Sequence, residues 1–454
     1  MTATVHSLHD DGVGIVGGGL LGLAAGHTLA KRGIPVTVYE AGDRVGGLAG
    51  TTRIGGVEVD RYYHAVTLED HRMLELAAEL GLEEQIRWRP LGVGFFHEGR
   101  LASMSTPREV LAFPGLSLVD KVRLAAFVAR CKLTRDHEPL DGEPVGPWVR
   151  RTAGERLWDQ LFRPLLDSKF DGEYDDLPAT YLWSRTRRTA GTRDKSGREV
   201  MGWIRGGHQV LADRMAEEIE RLGGRVRTGT PVRHISSRDG RATGVITDDE
   251  SIAHDVVVST LLRPHAERTL GPDVVAQLPA DPCRYMGIVC VVARVRRSVS
   301  PYYALNITDR RIPITSVVET THVVDPDHVE GHLLYVPHYV TADSPELLAP
   351  AADITAAYLG HVAAMFPGFD PGRDVIASQV ARARFAEPVH RHGRHTRVPD
   401  LFPAPGLAMA SSAHVYPDIV HGQAILGVAE RVADGVAARY GAATSHAPLQ
   451  RSAA

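Results

Sequence analysis

Apolar positions near the N-terminus fall in a strand, turn, helix, strand order. The stretch "GVGIVGG" (12–18) is apolar or glycine throughout, as in a strand buried on both faces. "LLGLAAGHTLAKRG" (20–33) is rich in Leu and Ala and closes at Gly33, predicting a helix, and "IPVTVYE" (34–40) predicts a second strand ending at Glu40. Further on, Val210, Leu211, Met215 and Ile219 form one helical stripe after a Gly206-Gly207 turn, and "GRVRTGTPVRHI" reads as strands. "RATGVITDDESIAHDVVVST" predicts a hairpin and a buried strand over 255–259. Near the C-terminus a strand is predicted at Leu407 to Ala410, with a helix from about Gly422. The pattern is that of an α/β protein.

Glycine spacing gives the first strand–helix turn a meaning. Gly17, Gly19 and Gly22 stand as G-x-G-x-x-G between strand and helix. The first permits a tight turn, the second lets backbone approach a pyrophosphate, and the third lets helix pack on strand. The first-turn N–H groups, at Leu20 and Leu21, would face the phosphates. Glu40 ends the next strand about twenty residues on, where a carboxylate accepts from ribose hydroxyls and repels a 2′-phosphate. A Rossmann-type dinucleotide domain with a parallel sheet is predicted, and NADP is disfavoured. After Glu40 and Ala41, Arg44, Gly46, Gly47 and Leu48 give R-x-G-G-L, a second cradle for phosphate or ribityl oxygens, with Arg44 able to reach the pyrophosphate.

At these residues the chain resembles the FAD-dependent amine oxidases, protoporphyrinogen oxidases and phytoene-type desaturases. The resemblance implies FAD as cofactor. It places the backbone of Val232 near the adenine and aims the helix N-terminus at Gly422 at the flavin pyrimidine, each favourable charge contact there being worth about 0.3–1 kcal/mol. Family members carry Gly and an acid after the last strand; here Ser411 and Ser412 stand there, and Asp418 is the nearest acid. Family amine oxidases hold a lysine near flavin N5 from the later part of the chain. Lysines here are Lys31, Lys121, Lys132, Lys169 and Lys195, so no counterpart is expected.

The 454 residues suit two interleaved domains. Segments 1–60, 201–265 and 401–442 are assigned to the FAD domain, and 61–200 and 266–400 to an α+β substrate-binding (cap) domain, with 443–454 as a disordered tail. The first insertion looks mainly helical, with Trp148, Trp158 and Trp183. The second holds the strand-like "MGIVCVVARV" and "GHLLYVPHYV". A hydrophobic share of 43%, a charged share of 23% and a net charge of −4 with mixed signs fit a globular chain and argue against nucleic acid as a partner. Cys131, Cys283 and Cys290 form no framework, and the polar N-terminus is unlike a signal peptide, so a cytoplasmic protein is expected. Membrane contact is at most peripheral, through an amphipathic "LVDKVRLAAFVARCKL" (118–133), for which packing in the cap is the preferred reading.

"DRYYHAVTLED" (60–70) leaves the second cradle directly, so Tyr62, Tyr63 and His64 should lie near the flavin ring. Tyr63 and His64 are the catalytic candidates. His64 titrates in the physiological range and takes a proton or orients a substrate hydroxyl, or else it merely packs. "LFRPLLDSKF" (161–170) brings Arg163, Asp167 and Lys169 together as an anion site or, preferably, a capped helix end. "HRHGRHTRVP" (390–399) carries His390, His392 and His395. Interleaved Arg391, Arg394 and Arg397 would repel a cation, so no metal is expected.

The leading function is a FAD-dependent oxidoreductase taking a hydride from a small organic substrate of isoprenoid, alicyclic or secondary-metabolite type. One alternative is a redox-neutral enzyme on a nucleotide sugar, since "GGVEVDRYYHAVT" is similar to the UDP-galactopyranose mutase pattern. The other is an inactive FAD-binding protein.

Overall fold

A computed structural model of the chain describes residues 7–9, 12–190, 192–194, 197–392 and 398–445. The expected strand, turn and helix form as β1 (Val13–Val16) and α1 (Leu20–Lys31), followed by β2 (Val36–Tyr39), which pairs in parallel with β1. Helix α1 is apolar on most of its circumference because it is covered on several sides. A Cβ at Gly26 would meet Ile15 and Val38 of the sheet and Ile219 of a neighbouring helix, each at 3.2 Å. The hairpin β3 (Thr51–Ile54) and β4 (Val57–Asp60) then leads outward, and α2 (His71–Glu79) returns Met73 and Ala77 to the core around α1.

Next comes α3 (Leu118–Leu133), opened by a Ser117/Asp120 capping box. It buries Phe127 and Cys131 but leaves Leu118, Val119 and Val122 exposed on its first turns. Phe127 packs on Trp148 and Phe162, so the helix is part of a hydrophobic core separate from that around α1. Helices α4 (Arg163–Phe170) and α5 (Ala179–Ala190) complete the helical part of the first insertion. That insertion is less helical than expected. "VGFFHEGRLAS" (93–103) forms a hairpin through Glu98 and Gly99, both at positive φ, the conformation of a tight two-residue turn.

Helix α6 (His208–Arg221) packs on α1, and β5 (Arg225–Arg227) pairs with the outer side of β2. Val232 lies just before the strand His234–Arg238 rather than within it. After the expected hairpin over 241–253, β6 (Val256–Ser259) inserts beside β1. The second insertion supplies the long antiparallel strands β7 (Cys283–Val295), β8 (His332–Thr341) and β9 (Val375–His390), the heart of a seven-stranded sheet. Finally β10 (Leu407–Met409) pairs with β6, and α7 (Gly422–Ser445) packs across α1. The resulting parallel sheet runs β5–β2–β1–β6–β10. Both its faces are covered, which is why "VGIV", "VTVY" and "VVVS" are buried at every position.

Residues 446–454, most of the tail assigned from sequence, lie outside the described residues. No helix among the described residues is long and apolar enough to cross a membrane.

Candidate functional site

The carboxyl ends of β1 and β2 bring the glycine turn and Glu40 together. Glu40 accepts the Gly18 N–H at 2.8 Å through one carboxylate oxygen and the Gly42 N–H at 2.8 Å through the other. A Cβ at Gly22 would stand 2.0 Å from the Gly17 carbonyl oxygen, so helix and strand meet there in direct backbone contact. At Gly19 nothing lies within 4 Å of where a Cβ would be, which leaves space open at the N-terminus of α1. Gly46 bridges Gly19, and Gly47, at φ +58, comes within 3.2 Å of the Gly19 Cα when given a Cβ. Ala41 and Leu48 are exposed at the rim, Leu20 is half-buried and Leu21 buried. Arg44 is held by Glu58 and by Asp213 at 2.8 Å, bracing the Gly46–Gly47 loop against β4 and α6. Val232 packs at the edge of the cluster containing Val16, Tyr39 and Val257. Gly422 opens α7 against Met73.

The chain leaving this cradle delivers Asp60, Tyr63 and His64 inward, where they meet the start of α6. Asp60 accepts the His208 N–H at 3.2 Å and abuts Gly207, whose Cβ would lie 2.3 Å from it. One polar atom from each of Asp60, His64 and His208 lies within 4.8 Å of the others. The two imidazoles are 5.0 Å apart, and both Nδ1 atoms are buried without a hydrogen-bond partner. Burial pushes Asp60 up to about 7, partly offset by bonds from the His208 backbone and the Trp203 indole. Burial lowers His64 to about 4, and burial with the neighbouring His64 lowers His208 to about 3. His64 therefore does not titrate in the physiological range as expected; desolvation holds it neutral.

Tyr63 reaches a second group of side chains from the cap. Lys169, on α4, forms an ion pair with Glu387 of β9 and lies 3.2 Å from the centroid of the Tyr339 ring. Burial raises the pKa of Tyr63, Tyr181 and Tyr339, so all three are neutral hydroxyls. Arg185, on α5, lies among these phenols and near Glu387. The expected grouping of Arg163, Asp167 and Lys169 separates. Arg163 stays on the surface with Asp159 and Asp167 one turn either side, while Lys169 turns inward. His390 donates from Nε2 to the Ala413 carbonyl (2.9 Å) and packs on Tyr416, whereas Arg391 pairs outward with Asp176. His395, Arg394 and Arg397 lie outside the described residues.

A family model described as flavin containing amine oxidoreductase matches residues 22–433. The chain belongs to that family. FAD is its cofactor, and the resemblance carried by the N-terminal motifs is borne out. A coproporphyrinogen III oxidase of Mycobacterium leprae (strain TN) is 29% identical over 228 residues, covering 44% of this chain and 49% of that protein. The chain thus spans about half the length of the curated relatives it matches. Among solved structures, an oxidoreductase from Methanosarcina mazei superposes with a TM-score of 0.69 at 20% identity, over 93% of this chain and 99% of that one. Cyclohexylamine oxidase from Brevibacterium oxydans IH-35A gives 0.64 at 16% identity, over 94% and 99%. At these identities the likeness is one of fold, and it agrees with the α/β architecture expected from sequence.

The cradle of this flavoprotein fits the cofactor on its own geometry. Space is open beside Gly19, the Glu40 carboxylate stands just past the end of β2 and Leu48 is exposed nearby, so a side chain at Gly19 would project into the room the dinucleotide needs. The second half of the chain holds no lysine, and Lys169 of the first half lies against Tyr339 and near Tyr63. Asp60, His208, Arg185, Tyr181, Tyr339 and Glu387 were not singled out from sequence. A histidine directly after a Gly-Gly turn, and Tyr181 and Arg185 spaced four apart on one helix, were the available signals.

Proposed function

We propose that the protein is a FAD-dependent oxidoreductase acting on a small organic substrate of alicyclic or secondary-metabolite type. The supporting observation is that the segment leaving the nucleotide cradle brings Tyr63 beside Lys169 and Tyr339 and His64 beside Asp60 and His208. Glu40 would hold the ribose hydroxyls of FAD. The N–H groups of Leu20, Leu21 and Gly22 would face its pyrophosphate, and Gly46 to Leu48 the adjoining chain. Val232 would line the adenine end, and the N-terminus of α7 at Gly422 would favour negative charge on the ring. When bound, FAD supplies the two-electron acceptor.

The chain's own residues bind, orient and handle the proton. Neutral His64 accepts a hydrogen bond from a substrate hydroxyl, and Asp60, with a pKa near neutrality, is placed to share a proton with it. Tyr63 donates from the cap side. The family match and the oxidase names of the relatives favour this oxidative reading over the redox-neutral and inactive ones. Purified protein should be yellow, and acid precipitation should release the flavin into the supernatant. Anaerobic mixing with a panel of cyclic alcohols and ketones should bleach the flavin. A colourless chain that ignores added FAD, or one whose flavin no panel member reduces, sinks the reading.

A further inference from the structure

Helix α5 turns three polar side chains toward the rest of the molecule, and two of them are matched. Ser184 donates to Asp418 at 3.1 Å, and Arg188 forms a two-pronged pair with Asp70 at 2.9 and 3.1 Å. Arg185, between them, has no ion pair with any described carboxylate. Its side chain is accessible to solvent, and its electrostatic neighbours are Tyr181, Glu387, Tyr63 and Tyr339, the three tyrosines being half-buried. A cavity lined by Tyr181, Glu387, His390, Tyr416 and Asp418 opens beside it.

The charges there do not cancel. Glu387 is the carboxylate nearest Arg185, but it is bound to Lys169. Two cations against one anion leave one positive charge over. Arginine cannot shed its proton, so the surplus charge stays available to an anion that reaches it from solvent. Its planar fork suits a carboxylate or a phosphate, and the neutral phenols around it supply further donors. We propose that Arg185, with Tyr63, Tyr181 and Tyr339 near it, binds an oxyanion of the substrate, a carboxylate or a phosphate group. This rests on the pocket assigned above to the substrate. It adds a chemical requirement: the oxidised molecule carries an acidic group that anchors it from the cap side.

The test uses binding, not turnover. Calorimetric titrations of the FAD-loaded protein would compare cyclohexanecarboxylate, inorganic pyrophosphate and the neutral cyclohexanecarboxamide, with the visible flavin band followed in parallel. We expect saturable binding of at least one anion, none of the amide, and a dissociation constant raised about tenfold to a hundredfold in Arg185→Gln, with partial recovery in Arg185→Lys. The two anions distinguish a carboxylate from a phosphate anchor. Tyr181→Phe removes only a hydroxyl and should weaken the same anion about threefold or more, which keeps the test open if Arg185→Gln does not fold. Absence of binding by both anions, equal binding of the amide, or unchanged affinity in the folded variants overturns the proposal. A protein that binds anions through Arg185 while its flavin is never reduced would overturn the oxidative reading alone.

Discussion

The imidazoles of His64 and His208 lie 5.0 Å apart, centre to centre, with Asp60 against both and no hydrogen-bond partner at either Nδ1. Such a trio ties stability to pH. In the unfolded chain the histidines titrate near 6.5 and Asp60 near 3.8; folding takes them to about 4, about 3 and about 7. Between those values the unfolded chain binds two histidine protons and the folded chain one carboxyl proton. The unfolded state therefore holds one proton more, and stability rises with pH up to about 6.5, by about 1.4 kcal/mol per unit. His208→Asn should flatten that slope and Asp60→Asn should steepen it. Urea titrations at saturating FAD check this, and slopes unchanged in both variants would show that the trio does not titrate as a group.

The same values reassign the proton. With His64 neutral across the physiological range, Asp60 is the member whose state changes near pH 7. We expect the anaerobic rate of flavin reduction to show one ionisation near neutrality, absent in Asp60→Asn. His64→Asn should slow reduction about a hundredfold, the low end for proton transfer, as suits a weak base, without moving that ionisation. A single-turnover rate within about threefold of wild type in folded His64→Asn would end its role.

At the cradle, Glu40 bonds to two backbone N–H groups and keeps lone pairs for the ribose. Glu40→Ala should weaken FAD by roughly 1.5–3 kcal/mol. Gly22→Ala should do worse, since its Cβ would fall 2.0 Å from the Gly17 carbonyl oxygen, and the variant should be purified colourless. Flavin content and fluorescence titration measure both, and full FAD occupancy in Gly22→Ala would refute the backbone contact.

The parallel sheet was readable because β1, β2, β6 and β10 are buried at every position, so apolar runs, glycine spacing and terminal Glu40 mark those pieces without tertiary knowledge. The pocket was not. His64 was found from its place after R-x-G-G, but its lowered pKa comes from burial and from His208, 144 residues away and brought near only when α6 packs on α1. Arg185 and Lys169 sit on helices whose surface arginines look the same in sequence. Only the packing of α4 on β8, with Lys169 reaching Glu387 of β9, separates that inward cation from Arg163, which stays on the surface.

That inward charge bears on what the pocket refuses. The absence of a lysine in the second half of the chain already speaks against simple amines as substrates, and Lys169 with Arg185 adds a second argument. A protonated amine entering beside Tyr63 would meet Arg185 and Lys169 against a single carboxylate, Glu387. Like charges a few ångströms apart in a partly desolvated site repel by about 4 kcal/mol at an effective dielectric of 20, roughly a thousandfold in binding. Mono- and polyamines at neutral pH should leave the flavin oxidised. Arg185→Glu should reverse the sign and admit them, with anaerobic bleaching by cyclohexylamine as the readout. Rapid reduction of the wild-type flavin by cyclohexylamine at pH 7 would show that the net charge of this pocket does not govern entry.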